Sequence, residues 1–102
     1  MIDILAVVIT EFEYKNFFAN TLTTDKFAVD IINEFSIITD KLLIKEYKAV
    51  LLDKQLDDLI NKCNFLHSVN QKLKIIIIGS NFSMDDKLLF LSNKVTYLDI
   101  NK

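Results

Sequence analysis

Five stretches of the chain have the hydrophobic pattern of β-strands. Three of them are short, nearly continuous apolar runs, at Ile4–Ile9, Ala49–Leu52 and Ile75–Ile78. Runs of this length without polar alternation are typical of strands that are covered on both faces, as in a parallel sheet. Phe27–Phe35 and Val95–Ile100 carry β-branched and aromatic residues, which favour strands, so we predict strands there as well.

The segments between these strands have helical spacing. Apolar residues recur at i, i+3 and i+4, which places them along one face of a helix. Thr10 with Glu13, and Ser83 with Asp86, have the spacing of capping boxes at the start of the first and last helix. The first predicted helix begins near Tyr14. The other three cover Ile37–Glu46, Leu56–Leu66 and Met84–Ser92.

Predicted strands and helices alternate along the whole chain. This alternation indicates a parallel sheet with right-handed crossovers and helices on both faces, which is a doubly wound α/β fold. The chain has 102 residues, with one Gly and no Pro, so it has room for one domain and no recognisable linker. We therefore predict a single domain over residues 1–102.

Charge and cysteine content argue against several classes of function. The net charge is −2 and all 12 cationic residues are lysine, whereas nucleic-acid binding usually needs a basic face. Cys63 is the single cysteine, so no disulfide forms within the chain. There is no basic leader with a cleavage site and no apolar run long enough to span a membrane. We expect a cytoplasmic protein that binds neither nucleic acid nor membrane.

Polar and small residues follow several of the predicted strands. In open parallel sheets, ligands bind at the carboxyl ends of the strands, so these residues are the first candidates for a functional site. They are Thr10, Glu11, Asp53, Gly79, Ser80, Asn101 and Lys102. Cys63 and His67, four residues apart on one helix, make too few ligands for a zinc site, and we predict that Cys63 belongs to the core.

Two of the predicted strands resemble strands of the receiver domains of bacterial response regulators. The apolar run that ends at Asp53 resembles the strand that carries the phosphoacceptor aspartate. The run that ends at Gly79 and Ser80 resembles the next strand of that family. Ser80 follows Asp53 by 27 residues, and Lys102 follows Ser80 by 22 residues, both close to the spacing of the family.

The resemblance implies a flavodoxin-like sheet of five strands in the order 2-1-3-4-5. It implies Asp53 as the phosphoacceptor, Ser80 and Lys102 as contacts of the phosphoryl group, and Tyr97 as the switch aromatic. It also implies a signalling module that is not an enzyme, with a histidine kinase or a downstream regulator as its protein partner. Mg²⁺ would neutralise the phosphoryl charge at such a site.

The sequence departs from the family pattern at four places, one of which is Asp57, where the family often has a proline. Ile9 and Thr10 stand where the family has its acidic metal-binding pair, so Mg²⁺ would depend on Asp53 and, more weakly, on Glu11. If Tyr97 is the switch aromatic, Ile100 takes the lysine position instead of Lys102. The last departure is that the family's fifth helix has no counterpart before the sequence stops. This predicts an uncovered apolar face, and either a partner chain covers it, as in a homodimer, or the sequence is a fragment of a longer regulator.

These departures favour an atypical receiver that acts through protein–protein contacts rather than through phosphorylation. Two alternatives stay open at this point. One is a small ligand-binding or enzymatic domain with the same fold, because fold alone does not determine function. The other is a purely structural dimerisation domain in which Asp53 has no role.

Overall fold

The computed structural model describes residues 2–9, 14, 16–18 and 26–100. In these residues it contains a five-stranded sheet and three α-helices. The strands are β1 (Ile2–Val7), β2 (Phe27–Ile32), β3 (Ala49–Asp53), β4 (Lys74–Gly79) and β5 (Thr96–Asp99), and the helices are α1 (Ile38–Ile44), α2 (Leu59–Val69) and α3 (Met84–Ser92). A 3₁₀ turn at Phe35–Ile37 leads into α1.

All strand pairs are parallel, and the strand order is β2-β1-β3-β4-β5. This confirms the predicted order 2-1-3-4-5 and the doubly wound fold class. Val7 is paired with Leu52, Asp53 with Ile78, and Gly79 with Asp99, so the carboxyl ends of the central strands lie side by side.

The apolar side chains form one buried cluster on each face of the sheet. On one face, Val50, Leu52 and Ile77 pack with Cys63 of α2 and Phe90 of α3. On the other face, the cluster consists of Ile4, Ala6, Val8, Tyr14, Phe18, Leu51 and Ile78. Strand residues that alternate between two apolar clusters explain why the strand sequences are continuous apolar runs. Cys63 is fully buried, as predicted.

Several element boundaries differ from the predicted ones. The second strand ends at Ile32 rather than Phe35, because the 3₁₀ turn begins at Phe35. The first strand covers Ile2–Val7 rather than Ile4–Ile9, since pairing with β2 begins at Ile2 and the amide of Ile9 turns away from the ladder. The predicted helix start at Leu56 is wrong, because Asp58 has a left-handed φ of 55° directly before α2.

The predicted capping box at Ser83 is confirmed. The Ser83 Oγ accepts a hydrogen bond from the amide of Asp86 at 3.1 Å, and the Asp86 carboxylate accepts one from the amide of Ser83 at 3.1 Å. These hydrogen bonds hold the pKa of Asp86 below its usual value. The capping box predicted for Thr10 and Glu13 lies outside the described residues. None of the helices that the structure describes has the length and apolar character needed to cross a bilayer.

Candidate functional site

Asp53 ends β3 and is the one charged residue among the described residues that is buried, with 0% of its surface exposed. Both of its carboxylate oxygens accept hydrogen bonds. Oδ2 accepts from the amide of Ile9 at 2.9 Å, and Oδ1 accepts from the Tyr14 hydroxyl at 2.8 Å and from the amide of Gln55 at 3.0 Å. The buried carboxylate therefore links the end of β3 to two positions in the chain that follows β1.

The sheet brings these donors to Asp53. Because β1 and β3 are adjacent and Val7 pairs with Leu52, the chain beyond β1 emerges beside the end of β3. The hydrogen bond from Gln55 is the local turn that an Asp side chain makes with the amide two residues later. Tyr14, which follows β1 in the chain, has a helical backbone conformation, and its side chain belongs to the buried cluster on the second face of the sheet.

The described surroundings of Asp53 do not fit a Mg²⁺ site. Mg²⁺ needs several oxygen ligands, whereas the groups that contact Asp53 are two amide N–H groups and a hydroxyl that donates its proton. Across the described part of the chain, there is no group of three or more acidic, His or Cys side chains that could hold a metal ion. Glu11, the second predicted metal ligand, lies outside the described residues.

Ser80 lies directly after β4, two residues beyond the strand partner of Asp53. It borders a cleft of about 80 Å³ at the carboxyl edge of the sheet, together with Tyr14, Lys54 and Ile100. The amide of Ile100 donates a hydrogen bond to the Gly79 carbonyl at 2.8 Å, which holds Ile100 at this cleft. Lys102, the predicted phosphoryl contact, lies outside the described residues.

Tyr97 lies on β5 and packs against two aromatic rings of the neighbouring segments. Its ring centroid is 5.1 Å from that of Phe82 and 6.0 Å from that of Phe90. Phe82 and Phe90 are themselves in edge-to-face contact at 5.8 Å. The predicted switch aromatic is therefore packed against the loop between β4 and α3 and against α3 itself.

Two residues of the site were not predicted from the sequence. Its helical spacing with Phe17 and Phe18 predicts that Tyr14 belongs to an apolar stripe, and the residue is buried, but its hydroxyl also contacts Asp53. Lys54 donates hydrogen bonds from Nζ to the carbonyls of Ser80 and Asn81, both at 2.9 Å. The available signals were weak: a hydroxyl on an otherwise apolar stripe, and a lysine directly after a strand-terminal aspartate.

Cys63 is not part of this site. It lies in the core on α2, and burial raises the pKa of its thiol to about 11. A thiol with a raised pKa is largely protonated at neutral pH and is a poor nucleophile.

Comparison with solved structures gives strong matches to receiver domains. A two-component response regulator from Clostridium difficile matches with a TM-score of 0.81 at 14% identity, over 100% of this chain and 85% of that one. The chemotaxis protein CheY4 of Vibrio cholerae matches with a TM-score of 0.81 at 14% identity, over 100% of this chain and 88% of that one. A putative pilus assembly-related protein from Burkholderia pseudomallei matches with a TM-score of 0.78 at 14% identity, over 98% and 78% of the two chains.

These matches place the chain in the flavodoxin-like receiver fold. No protein-family model matches the sequence, and no curated protein matches it. At 14% identity the likeness establishes the fold, and the function has to be argued from the residues at the carboxyl edge of the sheet.

Proposed function

We propose that this chain is an atypical receiver-like signalling module that acts through protein–protein contacts and is not an enzyme. Asp53 holds the position of the phosphoacceptor, but it acts as a buried structural carboxylate. Its partner is a histidine kinase, a downstream regulator or a second copy of the chain. A cytoplasmic location remains a prediction from the sequence.

The observation that carries this proposal is the enclosure of Asp53. To attack a phosphoryl donor, a carboxylate oxygen must reach the phosphorus atom in line with the leaving group. Asp53 has no exposed surface, and each of its oxygens already accepts at least one hydrogen bond. Among the described residues, the groups that hydrogen-bond to Asp53 are all donors, so none of them supplies an acidic ligand for the cation that would neutralise the phosphoryl charge.

The position of Ile100 supports the same proposal. Tyr97 packs against the loop after β4, and Ile100, three residues later, lies at the cleft beside Ser80. We propose that Ile100, rather than Lys102, takes the place of the lysine that would bind phosphoryl oxygens, which is the alternative in which Tyr97 is the switch aromatic. An isoleucine side chain offers no hydrogen-bond donor to such a group.

The surface of α3 supports contact with another protein. Met84, Leu88 and Leu91 recur at i, i+4 and i+7, and their side chains are 67%, 57% and 75% exposed. An exposed apolar stripe of this kind is typical of an interaction surface. We propose that this stripe forms the contact of a homodimer.

Intact-mass spectrometry after incubation with acetyl phosphate and Mg²⁺ tests the role of Asp53. We expect no mass gain that depends on Asp53, because the carboxylate is enclosed. Asp53→Asn is the matched control, and a phosphorylatable receiver treated in parallel shows that the reagent is active. A phosphoryl group gained by the wild type and not by Asp53→Asn would overturn the proposal.

Sedimentation velocity over a range of concentrations tests the dimer. We expect the wild type to associate and Leu88→Lys to remain monomeric, because a charge in the apolar stripe has to be desolvated on contact. Leu43→Lys is the matched control, since Leu43 is an apolar residue on α1 that is 86% exposed. If the wild type is monomeric at all concentrations, or if both variants weaken association equally, the α3 dimer is wrong.

The second candidate is a ligand-binding or enzymatic domain that uses the cleft at the carboxyl edge. Its volume of about 80 Å³ is well below the ~300–1,000 Å³ of typical ligand sites. A thermal-shift screen with nucleotides and flavin tests it, because a ligand that binds only the folded state raises the melting temperature. A clear rise with any of these ligands would favour this candidate over the docking module.

A further inference from the structure

The ammonium group of Lys54 is bound to the loop between β4 and α3 (residues 80–83). We infer that Lys54 clamps this loop, so that α3 and the Tyr97 ring are held in one arrangement without any phosphoryl group. This inference concerns the conformation of the loop. It stands or falls separately from the proposed docking function, because its test measures the loop and not a partner.

The ammonium group of Lys54 has three N–H donors. The loop and the start of α3 supply acceptors for them. Two are the carbonyls of Ser80 and Asn81, each 2.9 Å from Nζ. The Asp86 carboxylate at the start of α3 lies 3.7 Å from the same nitrogen. Hydrogen bonds from a charged donor are about twice as strong as those between neutral groups, so this set is well suited to fix a loop.

The stem of Lys54 and the backbone of the loop fit together closely. A Cβ atom placed on Gly79 would lie 2.8 Å from the Cβ of Lys54, so the close approach requires the single glycine of the chain. Asn81 has a left-handed φ of 60°, a conformation that asparagine adopts more readily than most residues other than glycine. Its carbonyl accepts one of the hydrogen bonds from Lys54, which helps to hold this conformation.

The contacts of Lys54 extend through Phe82 of the loop to the aromatic residues Phe90 on α3 and Tyr97 on β5. Lys54 Nζ lies 5.0 Å from the centroid of the Phe82 ring, within the range of a cation–π interaction. Phe82 in turn packs against Tyr97 and Phe90. A chain of direct contacts therefore connects the end of β3 with Tyr97, and none of these contacts involves the Asp53 carboxylate.

Amide hydrogen exchange of Lys54→Met, followed by NMR, tests the clamp. The reporters are the amides of Ser83 and Asp86, which bond each other's side chains, and of Ile100, which bonds Gly79. We expect about tenfold faster exchange at these amides, since Lys54→Met removes the charge-assisted hydrogen bonds to the loop and the ion pair with Asp86 at the start of α3. The reference is the core amide of Val8, which bonds Ile32 and should not change.

Lys62→Met is the matched control. Lys62 also bonds a backbone carbonyl, that of Asp57, and its Nζ lies 5.5 Å from the Phe35 ring, but it contacts neither the loop nor α3. Its substitution should leave the three reporters unchanged. Unchanged reporters in Lys54→Met, or equal acceleration of reporter and core amides, would overturn the inference.

Two further measurements keep the inference testable if Lys54→Met does not fold. Lys54→Gln retains a neutral hydrogen-bond donor. It should therefore accelerate hydrogen exchange at the reporter amides less than Lys54→Met, which removes all the donors. In the wild type, NMR relaxation of the side-chain methylene next to Nζ should show Lys54 to be more rigid than the exposed Lys72. Equal mobility of these two lysine side chains would mean that no clamp exists.

Discussion

Two aspartate–tyrosine pairs among the described residues differ in their burial and in their other partners. At the carboxyl edge, the buried Asp53 accepts hydrogen bonds from Tyr14 and from two backbone amides. Toward the amino ends of the strands lies the Asp30 cluster, which we define as Asp3, Asp30, Lys45 and Tyr47. There, the Tyr47 hydroxyl donates to Asp30 at 2.6 Å, and Lys45 bridges Asp30 and Asp3 at 3.0 and 3.2 Å.

Burial and the type of donor explain the difference between the two pairs. The Asp30 side chain is 41% exposed, and the hydrogen bond from Tyr47, followed by that from Lys45, lowers the pKa of its carboxyl group. Water can replace either partner there. Around Asp53 water is excluded, so the protein must satisfy the carboxylate itself. An Asp–Tyr pair alone thus does not define a site, and its environment decides its role.

The largest expected effect is on stability, in Asp53→Ala compared with Asp30→Ala. Asp53→Ala leaves a buried hydroxyl and two amides without their acceptor, which should lower the free energy of unfolding by roughly 2–4 kcal/mol. Asp30→Ala removes a partly exposed pair and should cost under about 1 kcal/mol. Urea unfolding of both variants measures the difference. Equal losses would show that the burial of Asp53 has no energetic consequence.

A smaller effect is expected at alkaline pH, and it belongs to the Asp30 cluster. Burial, and then the hydrogen bond to Asp30, raise the pKa of Tyr47 to about 12 from its ordinary 10.0. The folded state therefore holds this proton more tightly than the unfolded state. The resulting stability is fully present below pH 10 and is lost as the pH rises toward about 12, by up to roughly 2 kcal/mol.

Unfolding free energies of the wild type and Tyr47→Phe across this pH range measure that loss. The variant has no hydroxyl to ionise, so its stability should fall less steeply with pH. Tyr97→Phe retains Tyr47 and serves as the control that keeps the steeper fall. If Tyr47→Phe and the wild type lose stability in parallel, Tyr47 does not contribute to the alkaline transition.

The smallest expected effect separates the two hydroxyls at neutral pH. Tyr14→Phe keeps the ring in the core but removes one donor from the buried Asp53, which should cost about 1.5 kcal/mol. Tyr47→Phe should cost less, because Asp30 retains Lys45 and has access to water. Denaturant midpoints measured side by side give the ranking. A larger loss for Tyr47→Phe would reverse the comparison between the two pairs.

The amino-acid sequence was sufficient to predict the fold and the position of Asp53. Continuous apolar runs alternating with helical stripes specify which elements form and that the sheet is parallel, because these patterns depend on local periodicity and burial. The parallel order then places the residue after each apolar run at one edge. For this reason Asp53 and Ser80 were correctly expected at the carboxyl edge of the sheet.

The tertiary structure alone decided what surrounds Asp53. Tyr14 lies 39 residues away from Asp53, and the carbonyl of Asn81 lies 27 residues away from Lys54. Hydrogen bonds over such separations depend on the packing of helices and loops against the sheet, which leaves no periodic signal in the sequence. The local pattern of the sequence therefore determined which residues end the strands. Long-range packing determined that Asp53 is enclosed and that Lys54 holds the loop between β4 and α3.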